Sequence, residues 1–347
     1  MKNIKDYTDY AVEKTCEILA IDSPSGYTAD VAAWTMKELE ALGYEPQLTV
    51  KGGVTVDIGG GKDANNAVML LAHYDTLGGM VAEVKKSGRL KITNIGGLKA
   101  ANTETENCKI ITKFSGEYDG TLQLINASCH VNDDFSKTER NFNTTEVVID
   151  EDVEDDEDVF ALGIQAGDFV CFNPRTVVTE SGYIKSRFLD DKLSVGILLA
   201  YLKYLKDNKK KPGRRVYINF TCFEEVGHGG AAYCPEGVTE GICIDMGCVG
   251  EGLKCTERMV SIAAKDSSGP YHYDVVKGLE AAAIEAKLDY AVDVYPSYSS
   301  DMSVALRAGH DIKSACIGPG VYASHGYERS HKEGVRNTLA LIEAYLA

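Results

Sequence analysis

The chain has 347 residues, 25% of them charged, and a formal net charge of -16. That length holds one large domain or two modest ones with a sizeable core. The acidic balance excludes nucleic acid and an anionic membrane surface as partners, since both select for Lys/Arg patches, and no segment approaches the ~20 apolar residues of a membrane span.

The opening MKNIKDYTDYAVEKT has no apolar stretch behind its lysines, so no signal peptide is expected. The ten cysteines are scattered without a C-x-x-C pair. They read as reduced thiols, mostly small buried hydrophobes, and the cytoplasm is the expected compartment.

YTDYAVEKTCEILA has helical spacing and ends before the loop IDSPSG. TADVAAWTMKELEALG follows as a second helix, with Thr28 placed as N-cap and Gly43 as stop. EPQLTV and VTVDI are short strands joined through Gly52 and Gly53. NAVMLLAHYDT is continuously apolar and reads as a buried central strand. Near residue 81 the pattern changes to short alternating strands and Gly-bearing turns. Residues 81–179 are therefore expected to form an inserted β-rich domain, and 1–80 with 180–347 an α/β domain. The run IDEDVEDDEDVFALG lacks the glycine turn and ligand spacing of a calcium loop, so it reads as a solvated loop and helix start. Beyond ESGYIKSRFLDDK the α/β pattern resumes. A long helix covers roughly Lys192–Asp207, then come strands RRVYINFTCF, GICIDMG and MVSIAAK, and helices YDVVKGLEAAAIEAKL and GVRNTLALIEAYL. The expected fold class is α/β: one α/β domain interrupted by an inserted β domain.

Five clusters of His, Asp and Glu stand out, four of them where a strand ends or a helix begins: His73 and Asp75, Asp190 and Asp191, Glu224 and Glu225, Asp245, then His325 and His331. Sites in open α/β sheets form outside the carboxyl ends of strands. Each cluster alone has an ordinary explanation. The H-x-D pair could be a surface strand end, the DD pair and His331 could be helix caps, and the EE pair solvated charge. Taken in order they supply histidines and carboxylates without thiolate, a set that suits Zn²⁺, Mn²⁺ or Co²⁺, and two such ions if a carboxylate bridges them. Asp75, two residues from His73 on one strand face, is placed to orient it. Neighbouring strand residues diverge, so Glu224 and Glu225 are not expected to face the core together.

The series H-x-D, L-D-D, E-E-V-G, I-D and a C-terminal His resembles the dinuclear metallo-aminopeptidases of the tetrahedral and glutamyl aminopeptidase group, within the zinc exopeptidase clan. The resemblance extends to NIGG, GIQAGDFV and SSDMSVALRAG and covers nearly the whole chain. It implies an α/β, zinc exopeptidase-like fold with a mixed central sheet flanked by helices, whose inserted domain is a small PDZ-like β-barrel that helps build homo-oligomers, often dodecamers, or serves as a lid. It implies that His73 binds one ion with Asp75 supporting it, and that Asp190 bridges both ions, followed by a cis peptide to Asp191. Glu225 and Asp245 then bind one ion each, and His331 completes the second. Glu224 becomes the general base for a bridging water, and His325 and Asp301 fall near the substrate. The family motif has His followed by Ser-Pro; here the stretch is SHGYERSHKEG, a form that also resembles a branch linked to small dipeptide-like osmoprotectants.

The expected reaction is hydrolysis of the N-terminal peptide bond of a peptide with a free N-terminus, using two divalent ions, zinc above Co²⁺ or Mn²⁺. The alternatives are a metal-dependent deacylase or dipeptidase on N-acyl amino acids or dipeptide-like amides, and a non-catalytic scaffold of the same fold. A glycosidase using Glu224 and Glu225 as its carboxylate pair is disfavoured, because adjacent strand residues diverge.

Overall fold

A computed structural model describes residues 3–347. It contains two compact units. One runs through Asp75, resumes over Arg175–Ser324 and ends with Glu328–Ala347; the other is Thr76–Pro174 with His325–Tyr327.

The first unit opens with α1 (Thr8–Leu19) and α2 (Ala29–Ala41). Each buries one stripe, Ala11, Val12, Thr15 and Ile18 in α1, and Val31, Ala32, Thr35 and Leu39 in α2, the spacing of a one-sided helix. Thr28 stands at the N-cap of α2 but makes no capping bond. β1 (Gln47–Leu48) and β2 (Val54–Gly59) pair antiparallel. β3 (Ala67–His73) is buried at every position, as its continuous apolar run requires.

The second unit is a closed antiparallel barrel. Its strands are β4 (Gly78–Val84), β5 (Leu90–Ile95), β6 (Asn107–Ile111), β7 (Glu117–Leu124), β8 (Thr145–Ile149) and, after α3 (Asp156–Ala161), β9 (Phe169–Phe172). Val81, Ile92, Ile110, Leu122, Val147 and Val170 are buried in it. Closure leaves no unpaired edge.

The first unit resumes with β10 (Val177–Val178), β11 (Tyr183–Ser186) and α4 (Leu189–Asn208). Backbone angles are non-helical at Asp190 and Asp191, and the peptide between them is cis, so the regular helix starts at Lys192. α4 packs on α1 and β3. Next come β12 (Val216–Thr221), β13 (Val238–Ile244), β14 (Gly247–Val249), β15 (Val260–Asp266), β16 (Gly269–Pro270), α5 (Tyr273–Glu285) and β17 (Tyr290–Val294). The chain ends with α6 (Asp301–Arg307), β18 (Lys313–Tyr322), β19 (Glu328–His331) and α7 (Lys332–Leu346). The sheet is mixed, in the order β1-β2-β12-β3-β13-β18-β19-β11-β10. β12, β3, β13 and β18 run parallel at its centre. Ala67, Met69 and Leu71 of β3 pack with Cys243, Cys316, Tyr271, Tyr295, Met302 and Ala305 in one core cluster. Truncating a core leucine such as Leu71 to alanine costs about 2–5 kcal/mol, so this sheet centre is the rigid base on which its strand ends stand.

Candidate active site

Because β3, β12 and β13 are parallel neighbours, their carboxyl ends open on one side. His73 closes β3 and Asp75 follows it. Glu224 and Glu225 follow β12, and Asp245 follows β13.

His73 is buried, and its Nδ1 lies 2.9 Å from the main-chain carbonyl of Asp75. A carbonyl only accepts, which assigns the proton to Nδ1. Nε2 then turns a lone pair towards Asp190 Oδ1 at 3.1 Å and Glu224 Oε2 at 3.7 Å. Acceptors facing one another need a cation between them, either a proton or a metal ion. Burial opposes a charged ring, yet the hydrogen bond to Asp190 and the charges of Glu224, Asp75 and Asp191 outweigh it and raise the His73 pKa well above its usual value.

Donor atoms of His73, Asp190 and Asp245 all lie within 4.8 Å of one another. The amide of Asp190 donates to Glu328 Oε2 at 3.0 Å. Asp245 is held by its own amide, which donates to the Ile317 carbonyl at 2.9 Å, and by the Met246 amide on Oδ1 at 2.6 Å. A Cβ at position 318 would sit 1.8 Å from the Asp245 carbonyl, so Gly318 is what lets the two strands close here. Burial, then the charge of Asp190, pushes the Asp245 carboxyl up to about 7. Asp191 is fully buried; its Oδ2 accepts from the His73 amide at 3.3 Å and its Oδ1 has no hydrogen-bond partner. Burial and the charge of Asp245 raise its pKa as well.

Glu224 and Glu225 do stand apart, but not by strand alternation. β12 stops at Thr221, Phe223 takes φ +67°, and both acids lie in the turn beyond. Asp75 grips that turn: Oδ1 accepts from the Glu224 amide at 3.1 Å, and Oδ2 from the Glu225 amide at 3.3 Å and from the Ser25 hydroxyl. Asp75 thus supports His73 through its main chain, while its carboxylate, 3.6 Å from the ring, holds the loop. Burial raises the pKa of both glutamates well above the usual range. After burial, Asp301 is the largest charge pushing Glu224 up, and Asp190 the largest acting on Glu225, which sets both beside the same cluster.

His331 does not join them. It caps α7, with Nδ1 accepting from the Glu333 amide at 3.0 Å and Nε2 2.9 Å from the Ser181 carbonyl. Main-chain groups take both ring nitrogens, and the ring packs edge-on against Tyr183. The helix-cap explanation therefore holds at this position, because a histidine preceding a helix meets its free amides before anything else. Asp301 is buried at the start of α6 with both oxygens on protein donors, the Gly230 amide and the Thr221 hydroxyl, rather than open to a substrate. His325 belongs to the barrel unit, where Asn102 donates to its carbonyl. His228 stacks on Phe223 and receives Lys51. Ser25, Glu328 and Thr221 escaped the sequence reading; the only signal for Glu328 is an acid three residues after His325 in HGYE.

One imidazole lone pair and several buried carboxylates form a donor set that fits a divalent cation of the zinc type. The M42 glutamyl aminopeptidase family model matches residues 52–341. The chain belongs to the M42 glutamyl aminopeptidase family. It is a hydrolase of peptide bonds, an aminopeptidase of the metallopeptidase class. YhfE of Bacillus subtilis (strain 168), whose name assigns it to the aminopeptidases, is 41% identical over 340 residues, 97% of this chain and 98% of that one. Among solved structures, aminopeptidase APDkam598 from Desulfurococcus kamchatkensis superposes with a TM-score of 0.86 at 19% identity, covering 98% of this M42 chain and 95% of that one. The TET1 peptidase of Pyrococcus horikoshii, which can assemble into a tetrahedron or a large octahedral shell, gives 0.82 at 22% identity over 97% and 99%. At those identities the structural likeness establishes the fold.

Proposed function

We propose that this M42 enzyme releases N-terminal residues from peptides with a free N-terminus, using two divalent ions, zinc foremost, with Glu224 as general base. The observation that carries the reading is the convergence of His73 Nε2, Asp190 and Asp245 within 4.8 Å, all acceptors and all buried. His73, Asp190 and Asp245 would hold one ion, and Asp190 with Glu225 the other. Bound there, the ions supply Lewis acidity that acidifies a water and polarises the scissile carbonyl.

The chain's own groups do the rest. Glu224 Oε2 stands at the margin of the cluster, 3.7 Å from His73 Nε2, so it is free to take the proton of the attacking water and return it to the leaving amine. Asp75 fixes where that carboxylate stands by holding its amide. The Asp75 carbonyl keeps the His73 proton on Nδ1 and the lone pair inward. The surrounding carboxylates attract the ammonium of a free N-terminus. The assembling TET1 neighbour, and a related PhTET1-12s structure solved as a dodecamer, support a homo-oligomer, in the dodecameric case twelve copies, in which the barrel unit contributes contacts. The ten free cysteines support a reducing compartment, the cytoplasm.

Glu224→Gln is expected to lower kcat by about 10²–10⁴ while metal content, read by elemental analysis, stays at the wild-type value. Near-normal turnover would remove Glu224 as the base. A panel of aminoacyl anilides and N-acyl amino acids tests the substrate class: hydrolysis confined to blocked substrates would replace the aminopeptidase reading with the deacylase one.

A further inference from the structure

The turn that carries Glu224 and Glu225 begins after Thr221 and returns to buried backbone at Gly229 and Gly230. Asp75 holds its beginning. Its two ends are tied together by a different carboxylate. Asp301, the first residue of α6, is 1% exposed; its Oδ2 accepts from the Thr221 hydroxyl and its Oδ1 from the Gly230 amide at 2.5 Å. Thr221 is the last residue of β12, so one side chain closes the loop from strand end to loop end.

The glycines say the same independently. A Cβ at Gly229 would lie 2.5 Å from Asp301 Oδ1, and one at Gly230 would lie 2.1 Å from the Asp301 carbonyl. Real Cβ atoms do not approach oxygen that closely, so the loop accepts α6 at this distance only because both positions lack a side chain. The GG of FEEVGHGG and the D of SSDMS are therefore one fitted contact, remote in sequence.

We infer that Asp301 is a positioning residue for the catalytic turn, setting where Glu224 and Glu225 stand by closing the Thr221–Gly230 loop, and that it takes no part in binding substrate. The inference rests on the reading of Glu224 as base. It follows from three features: burial of the carboxylate, use of both its oxygens by the loop, and two glycines whose lack of a side chain leaves room for Asp301. A carboxylate accepting from a backbone amide and a hydroxyl makes charge-assisted bonds, roughly twice as strong as neutral ones. Asparagine at 301 keeps the shape but can accept on one side only.

The test compares Asp301→Asn and Thr221→Val by hydrogen exchange and steady-state kinetics on an aminoacyl anilide. In Asp301→Asn, the amides of residues 224–230 should exchange about tenfold faster or more, with those of α4 and the barrel unchanged. Its kcat should fall by about 10- to 100-fold, with KM moving less than about threefold. Thr221→Val, which removes only the hydroxyl, should show the same pattern at smaller size and keeps the test open if the asparagine variant folds poorly. A rise in KM with normal kcat and normal exchange would make Asp301 a substrate group and overturn the inference. Faster exchange with unchanged kcat would overturn it too, since the anchor would then position nothing. If Glu224→Gln retains turnover, the base assignment fails, while the exchange data still decide whether Asp301 closes the loop.

Discussion

The run Asp150–Asp158 holds the densest acid in the chain, yet most of its groups stay in water, whereas Asp75, the pair Asp190 and Asp191, the pair Glu224 and Glu225, and Asp245 come from four distant stretches and meet at the strand ends, the aspartates buried and the glutamates half-buried. In the run, Asp155 caps α3 by accepting from the Glu157 and Asp158 amides, and Lys86 pairs with Asp156 at 2.7 Å and pulls its pKa down. In the interior cluster the shift reverses: burial pushes Asp245 up to about 7 and raises Glu224, Glu225 and Asp191. Eight acids among nine residues make a solvated helix start. Single acids and adjacent pairs placed where strands stop or a helix begins make a site. Exposure rather than density of charge separates the two.

The sharpest way to break this contrast is to neutralise one acid in each region. Asp245→Asn should strip metal and lower kcat/KM by more than about 100-fold, while Asp152→Asn leaves both unchanged; comparable effects at the two positions would erase the distinction. A second test reads stability against pH after chelation. Between an unfolded pKa near 4 and about 7, the folded chain keeps on Asp245 a proton that the unfolded chain releases, so stability falls as pH rises, by on the order of 1 kcal/mol per pH unit. Burial carries Asp301 to about 6, and it contributes with the same sign over the lower part of that window. Melting of the metal-free protein should therefore fall from pH 5 to pH 7. Added zinc should reverse the trend, because it needs the carboxylates deprotonated; a flat metal-free profile would mean the acids are not buried as a cluster. Smaller effects belong to the caps. His331→Ala should cost about 1 kcal/mol in urea unfolding with metal content intact, with His325→Ala as the companion variant. Loss of metal in the first and not the second would return His331 to the ligand set. Asp155→Ala should cost a similar amount and leave kcat/KM alone.

The strand ends were legible because β3, β12 and β13 announce themselves as apolar runs, and an acid that ends such a run has few places to go. The β-rich insertion was legible from its short alternating strands, its closure into a barrel only through the family resemblance, and the acidic run from its lack of turn geometry. What the sequence could not show depends on contacts remote along the chain. Asp301 meets Thr221 and Gly230 from the start of a seven-residue helix that leaves little periodicity to read. Glu328 reaches the Asp190 amide across more than a hundred residues. The turn after β12 depends on Phe223 adopting a positive φ, which a phenylalanine gives no reason to expect. His331 was ambiguous because the same residue suits a ligand or a cap, and only the nearest donors decide which.

Asp75 meets His73 with its carbonyl and the loop with its carboxylate. The two jobs are wired to different parts of one residue. Replacing the side chain retunes the loop, yet leaves the imidazole tautomer under the control of a group that no codon change can remove. The tautomer is thus set by the main chain, while the Asp75 carboxylate, 3.6 Å from the ring, still bears on the ring's charge, so variants at position 75 report loop placement and ring charge together.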